Sequence, residues 1–128
     1  MSEAQSSGQK TVLVVEDDQP LRELFAGTLA LAGYRVLQAD DGVVALRLVE
    51  VDPPDLVVLD LYLPTLDGLS VRDEIWAHAE TRNIPIVIVT GSTVTGRYRV
   101  RDECILRKPV TPEQLLNVVG LCLSARSC

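Results

Sequence analysis

Five short apolar runs, separated by stretches with helical spacing, constrain the fold of this chain more than any other feature. They are Thr11–Val15, Tyr34–Ala39, Leu56–Leu59, Ile86–Val89 and Cys104–Leu106, rich in Val, Ile and Leu. Three of them are nearly continuous rather than alternating, the pattern of strands buried on both faces of a parallel sheet. Between the first two, Leu21, Leu24, Phe25, Thr28, Leu29 and Ala32 keep helical spacing, with Pro20 near the start and Gly33 as the stop. Residues 42 to 50 carry a second helix, closed by "DPPD", and a third begins near Gly68 and runs to about Ala79. "TPEQLL" announces the last, with Thr111 as N-cap, Pro112 at N1 and Gln114 at N3 of a capping box. Strand and helix alternate five times, which predicts a doubly wound α/β domain with a five-stranded parallel sheet and right-handed crossovers. The stretch from Thr90 to Cys104 has no clear apolar stripe, so its helix is expected to be shortened or irregular.

At 128 residues the chain fits one domain, expected over residues 10–125 after a disordered Ser/Gly/Gln tail at 1–9. Acids outnumber Lys and Arg 18 to 12, which argues against nucleic acid or a membrane surface as the main partner. Cys104, Cys122 and Cys128 are odd in number and lack metal-ligand spacing, so they read as reduced thiols. "MSEAQSSGQK" has no apolar core and is no signal peptide, and no run is long enough to span a bilayer. A cytoplasmic location is expected.

In open sheets of this type, ligands bind beyond the carboxyl ends of the strands. The first strand ends in Glu16–Asp17, the third in Asp60, the fourth in Thr90–Gly91 and the fifth in Lys108–Pro109. Three carboxylates, a hydroxyl and an ammonium should therefore converge on one edge. Crowded carboxylates repel and raise one another's pKa unless a cation joins them. All-oxygen ligands suit a hard ion such as Mg²⁺. Asp60, at the centre, can act as a nucleophile toward phosphorus, giving an aspartyl phosphate. Lys108 would place a charge on one phosphoryl oxygen, and the Thr90 hydroxyl can donate to another.

With "VLVVEDD", "DLVVLDLYLPTLDG", "IPIVIVTG" and "LRKP" in order from Thr11 to Pro109, the sequence resembles the receiver domain of bacterial two-component response regulators. The resemblance implies a flavodoxin-like sheet of order 2-1-3-4-5 and a switch controlled by phosphorylation. It implies Asp60 as phosphoacceptor, Asp17 and Asp60 as direct Mg²⁺ ligands, Glu16 reaching the metal through water, and the Tyr62 backbone carbonyl as a third protein ligand. Thr90 and Lys108 match the family's hydroxyl and lysine, and Pro64 and Gly68 its turn after the phosphorylation site. The implied partners are a histidine kinase or phosphotransfer protein and a downstream protein, with neither DNA nor membrane bound directly. The only reactions implied are the domain's own phosphorylation and dephosphorylation. Two features depart from the family: Ile105 stands where an aromatic residue is usual, and the Thr90–Lys108 stretch is a few residues short.

Other residues have plainer readings. Asp18 is expected to N-cap the first helix, Asp67 to make a turn before Gly68, and His78 to lie on the surface. Phe25 and Trp76 read as core or partly buried aromatics. Arg97, Arg99, Arg101 and Arg107 read as a solvated segment ahead of a basic patch for an acidic partner. Among rival functions, a flavodoxin-like cofactor binder needs an anion-accepting loop where this chain has "EDDQP". An aspartyl-phosphate hydrolase would resemble its kin in an Asp-x-Asp signature, where Tyr62 replaces the second acid. A constitutive docking module would have no need of an intact set of acids, hydroxyl and lysine.

Overall fold

The computed structural model describes residues 8–91 and 104–126. In chain order the elements are β1 (Thr11–Val15), α1 (Gln19–Leu31), β2 (Arg35–Ala39), α2 (Gly42–Val51), β3 (Leu56–Asp60), α3 (Gly68–Trp76), β4 (Ile86–Thr90), β5 (Ile105–Arg107) and α4 (Pro112–Arg126). The strands form one parallel sheet in the order β2-β1-β3-β4-β5. The expected doubly wound architecture and strand order are both present. The expected irregular fourth helix, Arg97, Arg99 and Arg101, and most of the expected N-terminal tail lie outside the described residues.

Period-2 alternation divides the sheet's side chains between two cores. Val12, Val14, Val58, Val87 and Val89 face one side, where Phe25 and Leu29 of α1 and Leu115 and Val119 of α4 pack against them. Leu13, Val15, Val57, Leu59 and Ile88 face the other, against Ala45 and Val49 of α2 and Val71 and Ile75 of α3. Both faces of β1, β3 and β4 are covered, which is why those runs read as unbroken apolar sequence. At the edge, β2 interleaves exposed Arg35 and Gln38 with half-buried Val36 and Leu37 and buried Ala39.

Local chemistry fixes the ends of the helices. Asp18, Asp41 and Asp67 are N-caps whose carboxylates accept the amides of Leu21, Val44 and Ser70. Thr111 and Gln114 exchange side-chain-to-backbone bonds of 3.1 and 3.0 Å, closing the capping box ahead of α4. Gly33, with φ of 102°, supplies the left-handed residue after α1.

The third helix ends at Trp76, three residues before the expected Ala79. The Thr81 hydroxyl donates to the Ile75 carbonyl at 2.5 Å and the Trp76 indole N–H to the Ile84 carbonyl at 2.9 Å. These bonds turn the chain back toward β4 instead of continuing the helix. Phe25 is buried as expected, but Trp76 stays 41% exposed with Arg72 stacked on its ring. His78 lies beyond the helix end on the surface, its Nε2 3.0 Å from Glu74. No described helix is long and apolar enough to cross a membrane.

Candidate functional site

Strand register assembles the site. β1 and β3 are central neighbours with Val15 paired to Leu59, so the next residues, Glu16 and Asp60, emerge side by side. The Glu16 amide donates to the Ala39 carbonyl at 3.1 Å, extending the ladder by one residue toward β2. On the other flank Asp60 pairs with Val89, and the Leu61 amide donates to the Val89 carbonyl at 3.1 Å. Thr90 pairs with Arg107, and the Lys108 amide donates to the Thr90 carbonyl at 2.8 Å. Thus β4 and β5 deliver Thr90 and Lys108 to the same carboxyl edge.

The carboxylates of Glu16, Asp17 and Asp60 each offer an oxygen within 4.8 Å of the others. Glu16 is 1% exposed and Asp60 4%, while Asp17 is open to solvent. Lys108 Nζ lies 3.4 Å from Glu16 Oε1 and 3.6 Å from Asp60 Oδ2. Asp60 Oδ1 accepts the Tyr62 amide at 3.2 Å, and Glu16 Oε2 accepts the Asp18 amide at the same distance. Glu16 Oε1 has no hydrogen bond although it is fully buried; the lysine faces it at ion-pair distance only. Burial first, and then the Asp60 charge, push the Glu16 carboxyl up to about 7. A buried carboxylate oxygen without a hydrogen bond, beside two further carboxylates, is the donor set of a hard divalent cation. The residues present fit Mg²⁺.

The structure thus brings together Glu16, Asp17, Asp60 and Lys108, with buried Thr90 on the adjacent strand end and Tyr62 bound through its amide to Asp60. Asp18 and Asp67 serve as caps, outside the cluster. The sequence reading missed Arg22. Its Nη1 donates to the Glu16 carbonyl at 3.0 Å and its Nε to Gln38 Oε1 at 3.2 Å, tying the acidic loop to α1 and β2. An arginine one turn into a helix that follows an acidic strand end was the available signal.

The turn after β3 is equally specific. The Gly68 amide donates to the Leu61 carbonyl at 2.8 Å, and a Cβ on Gly68 would run into the Asp60 carbonyl oxygen and lie 2.8 Å from Leu61 Cα. Both obstacles are backbone and cannot rotate aside. Gly68→Ala is expected to push the start of α3 away from β3 and cost about 2 kcal/mol. A urea melt checks this, and a stability within a few tenths of a kcal/mol of the parent would contradict it.

The model of the response regulator receiver domain family matches residues 12–120. Response regulator MprA of Mycobacterium ulcerans is 38% identical over 109 residues, 82% of this chain and 46% of MprA. The chain therefore spans less than half the length of that relative. Polar-differentiation response regulator DivK of Brucella ovis is 30% identical over 114 residues, 86% of this chain and 93% of DivK. Among solved structures, the receiver domain of sensor histidine kinase PA1611 from Pseudomonas aeruginosa superposes with a TM-score of 0.80 at 28% identity. The match covers 91% of this chain and 99% of that one, which has a magnesium ion coordinated in its active-site cleft. With a parallel 2-1-3-4-5 sheet carrying an acidic cluster and a lysine at its carboxyl edge, this chain belongs to the response regulator receiver domain family.

Proposed function

We propose that this domain is a cytoplasmic, phosphorylation-controlled switch that accepts a phosphoryl group on Asp60 from the phosphohistidine of a kinase or phosphotransfer protein. The observation that carries this reading is the placement of Asp60: a buried carboxylate between two further acids and an ammonium. One Asp60 oxygen attacks phosphorus as the bond from phosphorus to the donor nitrogen breaks, and the imidazole leaves with the electron pair. Asp17, Asp60 and the Tyr62 carbonyl would hold Mg²⁺, with Glu16 behind a water. Bound there, the cation would supply positive charge for the transferring oxygens. Lys108, already 3.6 Å from Asp60, supplies a second positive charge for those oxygens. The Thr90 hydroxyl would donate to one of them once the acyl phosphate has formed. Attack of water on the same phosphorus returns the carboxylate and resets the switch, so the domain turns over only its own phosphate.

MprA and DivK bear the name response regulator, and the magnesium in the PA1611 receiver supports the metal assignment. Exposure to acetyl phosphate with Mg²⁺ is expected to add one phosphoryl unit to the intact mass, and EDTA to prevent it. No mass gain with the metal present would overturn the reading.

A further inference from the structure

Away from the acidic edge, two thiols meet between β5 and the last helix. Cys104, immediately before β5, and Cys122, in the second half of α4, place their sulfurs 3.3 Å apart in a thiol–thiol contact. Neither is in a disulfide. Cys122 is 5% exposed within the core that α1 and α4 share, and Cys104 packs against that core from a partly exposed position. A disulfide needs about 2.05 Å between sulfurs, so the two must approach by about 1.25 Å to bond. The switch proposed above uses neither thiol.

We propose that Cys104 and Cys122 form a reversible oxidation site, closed to an intramolecular disulfide by a small-molecule disulfide such as oxidised glutathione. The chemistry is two exchanges. The Cys104 thiolate, the partly exposed member, attacks one sulfur of the oxidant; the glutathione disulfide bond breaks and one glutathione leaves as a thiolate that takes up a proton. The Cys122 thiolate then attacks the Cys104 sulfur of the mixed disulfide and displaces the second glutathione, which is protonated in turn. Two protein thiols are oxidised and one glutathione disulfide is reduced to two thiols. Because Cys122 is already in contact with Cys104, the second step is intramolecular, and the mixed disulfide is not expected to accumulate. The bridge would fasten the strand that leads into Lys108 to α4.

The test uses the full chain carrying Cys128→Ser. Folded protein is treated with oxidised glutathione, quenched with acid, denatured, alkylated and mapped by mass spectrometry. Both thiols are expected to escape alkylation, to appear in one linked Cys104–Cys122 peptide, and to return to alkylatable form with dithiothreitol. The melting temperature should rise on oxidation, since the bridge restricts the unfolded chain. Adding Cys122→Ala should convert the product to a stable glutathione adduct on Cys104. If that variant does not fold, Cys104→Ser serves instead, and Cys122 should then stay unmodified while the protein is folded. A persistent adduct on Cys104 with Cys122 present, an intermolecular dimer, or two thiols that remain fully alkylatable would each overturn the proposal.

Discussion

Asp60→Asn is expected to abolish phosphorylation by acetyl phosphate while leaving the domain folded. The amide oxygen of asparagine can still accept the Tyr62 N–H that now binds Asp60 Oδ1 at 3.2 Å, so the turn after β3 keeps its anchor. What disappears is the nucleophile, because a neutral amide oxygen does not form a stable acyl phosphate. The substitution also removes a negative charge beside Glu16, which lies in the same cluster and is driven up partly by that charge. Metal-free Asp60→Asn should therefore be at least as stable as the parent near pH 8, where the Glu16 carboxylate would otherwise face the Asp60 charge. Intact mass and a thermal melt on the same sample check both halves. Labelling of the variant to the parent's extent would remove Asp60 from the mechanism.

The fold was legible because the sheet is covered on both faces. Unbroken apolar runs such as LVVL and IVIV announce buried parallel strands, and Asp, Thr and Gly at fixed offsets mark where helices start and stop. The reading failed where a tertiary bond decides the outcome. The early end of α3 depends on the Thr81 hydroxyl reaching back to Ile75 and on the Trp76 indole finding Ile84, neither of which has a periodic signature. The site was legible for a different reason. Strand ends are identifiable from sequence, and a parallel sheet puts all of them on one edge, so Glu16, Asp17, Asp60 and Lys108 could be gathered without coordinates. What could not be gathered was register, which sets Glu16 directly beside Asp60 through the Val15–Leu59 pair. Nor did spacing reveal that Arg22 holds the Glu16 carbonyl from the first helix. The Cys104–Cys122 contact escaped for the same reason, since it depends on how α4 settles over β5.

Without divalent metal, stability should fall as pH rises from about 4.5 to about 7, and Mg²⁺ should offset that fall. The folded-state pKa of Glu16, about 7, lies above its ordinary value of 4.5, because burial and the neighbouring Asp60 disfavour the charged form. The folded protein therefore binds this proton more tightly than the unfolded chain does. The group's contribution is most favourable below pH 4.5, is lost progressively as pH rises to 7, and stays lost above it. The span corresponds to about 3 kcal/mol between the two plateaus. Glu16 Oε1, buried and without a hydrogen bond, is the atom that bears this cost, since Lys108 stands off at 3.4 Å. A divalent cation bound to the cluster favours the ionised acids, so the Mg²⁺-induced rise in melting temperature should grow across the same pH interval. Glu16→Gln keeps the shape and removes the charge. Its metal-free stability should be nearly flat over that interval apart from the other acids' background, and its response to Mg²⁺ should be weaker. Melting curves from pH 4.5 to 8, with EDTA and with Mg²⁺, distinguish the outcomes. If Glu16→Gln retains the parent's slope, another group carries the proton linkage and Glu16 is not the strained member of the site.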